Sequence, residues 1–327
     1  MKKLLILCLL SCNLLNASML ISAGGYAVRE YKGNYSFQDK KRGRKVNITK
    51  VLRHKSKYTN AVSLWITKGW DEDWYPIRSV QKEIINRGYT PVFVFYWFGD
   101  KVSPSYIKRN KHSYFKALKR FTRYMKRLHG KKIVILNPEY NMSRTGKWSG
   151  MNDIFLRSFQ IVREDYQALV GPCIGDFGNY SNVNEPREWR LFDKSIRYAA
   201  KSADFIAFQE MRGITRNSQE DILKTAQRAY NFSKYLHRKY KKPTMLAYTA
   251  ISSHGRDGEY IQAKAYQAFV KYLPKMKREA NLMLFGTFHY FDYPNHKGYF
   301  NEAEEHFGVI RKDGTQKPSC KYYNMLK

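Results

Sequence analysis

Ile133-Val134-Ile135-Leu136-Asn137-Pro138-Glu139-Tyr140-Asn141 is the stretch that decides the fold. Four aliphatic residues in a row suit a strand buried on both faces, as in a parallel sheet covered by helices. Pro138 has no N–H to give to a ladder, so the strand stops there and Glu139 is presented at its tip. Six more runs have strand length and β-branched or aromatic enrichment, at 61–66, 91–98, 168–174, 204–208, 244–248 and 282–288. An eighth, near 19–26, abuts the apolar N-terminus. Starts about 30–40 residues apart leave room for one helix between successive strands.

The intervening segments have helical periodicity. Over 114–128, Phe115, Leu118, Phe121, Met125 and Leu128 share one face, with Lys116, Lys119, Arg120, Arg123 and Lys126 largely elsewhere. Ser218 caps a second helix, with Glu220 and Asp221 at the positive end of its dipole and a stripe of Ile222, Leu223, Ala226, Ala229 and Leu236. The alternation predicts a single-domain (β/α)8 barrel of the TIM type, in the α/β class. A doubly wound sheet would want a glycine-rich turn, and the chain has no GxGxxG, GxxxxGK[ST] or GxSxG. Dinucleotide, P-loop and serine-hydrolase chemistry are disfavoured with it.

Composition narrows the class further. With 327 residues, 43% of them hydrophobic, the chain has material for one large core, which excludes a disordered protein. Beyond the N-terminus no apolar run reaches the ~18 residues of a membrane span. Four cysteines exclude a disulfide miniprotein, and Cys173 and Cys320 are expected as two buried thiols. Neither CxxC nor HExxH occurs, so neither a metal site nor a cofactor is expected.

The N-terminus has the pattern of an export signal: Lys2 and Lys3, then an uninterrupted apolar run over 4–10. Two processing outcomes compete. Leu15-Asn16-Ala17 before Ser18 suits ordinary cleavage, whereas Leu9-Leu10-Ser11-Cys12 resembles a bacterial lipobox that would lipidate Cys12. The expected organisation is a signal at 1–17, a basic segment at 18–60 that could supply the first strand, and the barrel at 61–327. The expected location is periplasmic, anchored to the outer membrane, or secreted.

Lys and Arg number 59 against 27 Asp and Glu, a net charge of +32, concentrated at 40–57 and 108–132. Nucleic acid is the reflex partner for such a chain. Charges on outer helix faces of an exported protein fit anionic lipid, cell-wall polymer or acidic glycan better. A lineage-wide lysine bias is the plainer explanation. No specific nucleic-acid partner is expected.

In so basic a chain, acids at strand ends stand out, because chemistry in these barrels sits at the C-terminal ends of the strands. The fourth strand delivers Glu139, the fifth delivers Asp176 through Cys173-Ile174-Gly175, and the sixth delivers Glu210 through Phe208-Gln209. Glycoside hydrolysis needs two carboxyl groups, one to protonate the leaving oxygen and one to act as nucleophile or to activate water. Aromatic platforms for sugar rings are available at Tyr96, Trp97, Tyr140, Tyr248, Tyr290 and Phe291, with His289 and Asp292 beside them. Arg212, on Glu210's side of the strand, would keep a carboxylate ionised or grip an acidic sugar.

These segments, in this order, resemble the (β/α)8 glycoside hydrolases, most closely family 26, the β-mannanase-like enzymes of clan A. The resemblance runs from Trp65 to the C-terminus and rests on several motifs. They are Trp65 with Trp70 and Trp74, Gly88-Tyr89-Thr90-Pro91, Pro138-Glu139-Tyr140-Asn141, Ala203-Asp204-Phe205-Ile206, Lys242-Pro243-Thr244-Met245-Leu246-Ala247, and the closing stretch over 307–319. It implies that Glu139 is the acid/base, followed two residues on by Asn141. The nucleophilic Glu of clan A should end the seventh strand, which here reads Ala247-Tyr248-Thr249-Ala250 without a carboxylate. Glu210 is the substitute and Asp176 the second choice. Trp97, Tyr96, Asn141, Arg212, Tyr248, His289, Tyr290 and Asp292 are expected to bind the carbohydrate. The expected function is hydrolysis of a polysaccharide or oligosaccharide; the alternatives are a non-catalytic glycan-binding barrel and a basic envelope protein docked on anionic polymer.

Overall fold

The computed structural model describes residues 19–24 and 57–327, apart from 143, 185, 295 and 297. The signal segment, Cys12 and almost all of the basic stretch at 40–57 lie outside the described residues.

Eight parallel strands close into a barrel in sequence order. They are β1 (Leu20–Ala23), β2 (Ala61–Thr67), β3 (Thr90–Tyr96), β4 (Lys132–Leu136), β5 (Ala168–Gly175), β6 (Ile206–Arg212), β7 (Thr244–Ile251) and β8 (Leu282–Thr287). Ring closure comes from the short β1, which pairs Ser22 with Ala61 on one side and Gly286 on the other. The helices are α1 (Ile77–Glu83), α2 (Pro104–Met125), α3 (Met151–Val162), α4 (Asp193–Ile196), α5 (Ala199–Ser202), α6 (Gln219–Leu223), α7 (Thr225–Tyr240), α8 (Gly258–Ala280) and α9 (Pro318–Tyr323). None of the described helices is long and apolar enough to cross a membrane.

The apolar residues divide into two cores. Val92, Val94, Ile133, Ile135, Ala207 and Met245 are among those that fill the barrel, while Phe93, Phe95, Val134, Leu136 and Phe208 pack outward against the helices. Strands buried on both faces explain the near-continuous apolar runs in the sequence. Cys173 lies in the barrel core, Cys320 lies in the outer core, and neither forms a disulfide.

Three local expectations are corrected. The helix expected over 114–128 begins ten residues earlier, because Ser103 accepts a hydrogen bond from the Tyr106 N–H at 3.3 Å and Pro104 occupies the first turn. The helix capped by Ser218 does form its capping box with Asp221, but it breaks at Lys224 into α6 and α7, leaving Leu223 38% exposed rather than in the stripe. Strands β6 and β7 run on to Arg212 and Ile251, so Glu210 lies within a ladder rather than beyond it and Tyr248 lies inside its strand rather than at the end.

Candidate active site

Glu139 sits just past the end of β4 in an unusual backbone. Asn137 (φ 49°) and Glu139 (φ 59°) both adopt the left-handed conformation on either side of Pro138. For Glu such a conformation costs on the order of 1–3 kcal/mol and persists only where the surroundings enforce it. Here the Asn137 N–H donates to the Phe95 carbonyl at 3.0 Å and the Asn137 amide to the Tyr114 hydroxyl at 3.0 Å. On the far side, the Tyr140 N–H donates to the Asn137 carbonyl at 3.2 Å. This turn aims a half-buried carboxyl at the barrel mouth.

Tyr248 reaches that carboxyl from β7, its hydroxyl donating to Glu139 Oε1 at 2.7 Å. A bulge delivers it. Phe208 opposes Leu246 and Gln209 opposes Tyr248, so Ala247 is the extra residue of the ladder. Ala247 and Tyr248, though consecutive, both join the barrel core. Gly286 permits the close approach of β8 here, since a Cβ there would collide with the Ala247 carbonyl oxygen.

Around this pair the mouth is aromatic. Trp65 packs on Tyr96, Tyr248 and Phe288 with ring centroids 5.6, 5.2 and 5.1 Å apart. His289 lies against Phe288 at 4.1 Å, and burial together with nearby His296 holds its imidazole neutral. Burial also pushes the Glu139 carboxyl up from 4.5 to about 7, opposed by the Tyr248 hydrogen bond and reinforced by the like charges of Asp100 and Glu304. The Tyr248 hydroxyl is correspondingly raised well above its ordinary range by burial and by Glu139.

Glu210 and Asp176 do not join Glu139; they belong to a closed cluster on the helix side of β5 and β6. Asp176 accepts from the Arg228 guanidinium at 2.6 Å and from the Trp189 indole at 2.7 Å. Glu210 Oε2 accepts from Arg212 at 2.7 Å, and Arg212 stacks on the Tyr180 ring at 3.8 Å. Burial first, then Asp176, raises the Glu210 carboxyl well above its ordinary range, while the two arginines oppose the shift. Phe208, Glu210 and Arg212 alternate on the face of β6 that looks at α7, with Phe208 on Phe232 and Asp176 on Arg228.

Several of the expected sugar contacts are structural. Tyr140 is buried against Phe155 with its hydroxyl 3.2 Å from Ser195 Oγ, and Tyr290 is buried against Tyr323. Trp97 packs on Phe98 and Tyr114 outside the barrel, beneath Lys68. Asn141 clamps β5 by exchanging hydrogen bonds with Gly175 at 2.7 and 2.8 Å. Asp292 is paired with buried Lys317 at 2.6 Å, although burial still leaves its carboxyl raised to about 6. Of the residues singled out in the sequence, Glu139, Tyr96, Tyr248 and His289 remain around the mouth.

Other groups there escaped the sequence reading. The turn over Asn301–His306 lies across the mouth, with Phe300, Ala303 and Phe307 packed into the barrel core. It carries Glu304, whose Oε1 accepts from the Phe300 N–H at 2.9 Å and whose Oε2 lies 3.0 Å from His296 Nε2. In an eight-strand ring the β8 loop faces β4. An acid-rich Asn301-Glu302-Ala303-Glu304-Glu305-His306 in an acid-poor chain was the available signal. Gln209, beside Tyr248 in register, has a buried Oε1 without a hydrogen-bond partner among the described residues. No group of three or more His, Cys, Asp or Glu among the described residues is placed to hold a metal ion.

Comparison with known proteins locates this architecture. An exo-β-1,4-mannosidase from an Opitutaceae bacterium superposes with a TM-score of 0.63 at 14% identity, over 94% of this chain and 59% of that one. A GH5_18 protein from Bifidobacterium longum, solved with Manβ1-4GlcNAc, gives 0.62 at 11% identity, over 94% and 78%. The Bifidobacterium dentium β-glucuronidase, solved with coumarin-3-O-glucuronide, gives 0.60 at 12% identity, over 94% and 46%. The chain has the fold of these glycoside hydrolases. It spans little more than half the length of the mannosidase and less than half that of the glucuronidase. No protein-family model and no curated protein matches the sequence.

Proposed function

We propose that this protein is an exported glycoside hydrolase acting on a polysaccharide or oligosaccharide, with Glu139 as the general acid. One observation carries the proposal: a carboxyl at the tip of β4, held on a left-handed backbone in an aromatic mouth, with its pKa raised to about 7. A carboxylic acid that still holds its proton over a substantial fraction of the population near neutrality can protonate a glycosidic oxygen as the bond to the anomeric carbon breaks. Tyr96, partly exposed at the mouth, offers a ring to a sugar, with buried Trp65 and Phe288 packed behind it.

The second role falls to the Glu304–His296 pair. Glu304 lies in the loop facing β4 and its charge reaches Glu139. His296, backed by Glu304, takes a proton from the attacking water while Glu139 protonates the departing oxygen. Glu210 is withdrawn from that role because Arg212 and the face of β6 turn it toward α7. The family 26 resemblance supports the assignment of Glu139 alone. The export reading rests on Lys2, Lys3 and the apolar run at 4–10. Fractionation of cells making the full chain tests it, and protein confined to the cytoplasm would overturn it.

The hydrolase reading is tested by reducing-sugar release from β-1,4-mannan and polygalacturonate by wild type, Glu139→Gln and Glu304→Gln. Loss of a general acid or base lowers turnover by about 10²–10⁴-fold. A Glu304→Gln variant of unchanged rate would remove the second role. The alternative, a barrel that binds glycan without cleaving it, is favoured by the absence of a carboxylate from Ala247-Tyr248-Thr249-Ala250, the strand-seven region where the resemblance implies a nucleophile. Binding of either polymer without any turnover by the wild type would select it.

A further inference from the structure

On the outer flank beneath Glu139, α2 and α3 enclose a groove of about 600 Å³. Its walls carry Lys111, His112, Lys116, Lys119 and Arg123 from α2 and Arg157 from α3, with Phe115 at its base. No carboxylate of the described residues lines it. Helix α2 has seven Lys or Arg and neither Asp nor Glu in its 22 residues. Lys111, Lys116, Lys119 and Arg123 are exposed, and among the described residues none has an acidic partner within ion-pair distance. Lys116, Lys119 and Arg123 recur at helical spacing of three and four, so like charges repel along the groove until an anion occupies it. From Lys111 to Arg123 the row extends about 18 Å at the α-helical rise. Lys108, one turn nearer the mouth, lies 5.5 Å from the Trp148 ring and continues the row upward.

We propose that this groove binds an acidic polysaccharide, a linear chain bearing carboxylates. A single-stranded nucleic acid would want exposed rings on which bases stack. Phe115, the one Phe, Tyr or Trp among the described residues lining the groove, is half-buried and packed into the core. A membrane would want apolar side chains to insert beside the cations. None of the exposed large hydrophobic residues of the described chain lies on α2 or α3. A row of cations about 18 Å long beside a groove between two helices suits an extended polyanion. Helices α2 and α3 flank β4, so a polymer held there runs along the side of the barrel that carries Glu139.

The test is binding of polygalacturonate at low salt, which is independent of any hydrolysis. The variant Lys111→Gln/Lys116→Gln/Lys119→Gln changes exposed residues only and is compared with Lys264→Gln/Lys271→Gln/Lys275→Gln, which removes equal charge from α8. Removing three exposed lysine–carboxylate attractions together predicts about tenfold weaker binding for the first variant. The second is expected to stay within about twofold of wild type, with binding abolished as salt screens the charges. Equal weakening in both variants would overturn the proposal by making the attraction one of net charge. Absence of binding by the wild type would overturn it as well. So would tighter binding, at the same salt, of duplex DNA or of phosphatidylglycerol vesicles.

Discussion

Replacing Glu139 by Gln should stabilise the protein at alkaline pH and leave it unchanged in acid. The folded state holds the Glu139 proton up to about 7, whereas the unfolded chain releases it near 4.5. A pKa raised on folding contributes stability that is fully present below 4.5 and is lost as pH rises through 7. At about 1.4 kcal/mol per unit, the ionised wild type gives up about 3 kcal/mol at pH 9 that it retains at pH 4.5. Gln has nearly the same shape, cannot ionise, and still accepts from Tyr248, so it avoids that loss. For a barrel of this size the difference corresponds to about 5 °C in Tm. Thermal unfolding of both proteins at pH 4.5 and pH 9 measures it. The variant is expected to match wild type at the lower pH and to melt about 5 °C higher at the upper one. An offset that is the same at both pH values would refute the claim that Glu139 is an unusually weak acid.

Three further outcomes follow from the same geometry. Tyr248→Phe removes the hydrogen bond that favours ionised Glu139, so the carboxyl pKa should rise by about one unit and the alkaline limb of the pH–rate profile should move up with it. Arg228→Ala strips the buried Asp176 of its main partner and should cost about 3–5 kcal/mol, read as a lowered urea midpoint. Glu210→Gln should leave turnover within about twofold of wild type, since that side chain faces Arg212 and α7; a loss as large as that of Glu139→Gln would return Glu210 to the reaction.

The barrel was legible because each strand is a short aliphatic run and each helix is amphipathic. Even β1 was visible, at the edge of the N-terminal apolar segment. Glu139 was legible for a local reason: Pro138 ends β4 and leaves the acid at the tip. Glu210 was read onto the rim for a reason that also misled. Strands buried on both faces carry no polar alternation, so nothing in Ile206-Ala207-Phe208-Gln209-Glu210 says which parity faces the barrel. Tyr248 was placed near the mouth, but its direct contact with Glu139 depends on the bulge at Ala247, which no residue pattern announces. Tyr140 and Tyr290 lie close to strand ends, and the helices beside them, not their position in the strand, decide that they are core.

The central claim is that Glu139 drives glycosidic cleavage, and reducing-sugar release from β-1,4-mannan and polygalacturonate by wild type and Glu139→Gln, both checked for intact folding by thermal melts, tests it most directly. The account predicts turnover of at least one polymer by the wild type and a fall of about 10²–10⁴-fold in the variant. Undiminished turnover by folded Glu139→Gln would contradict it.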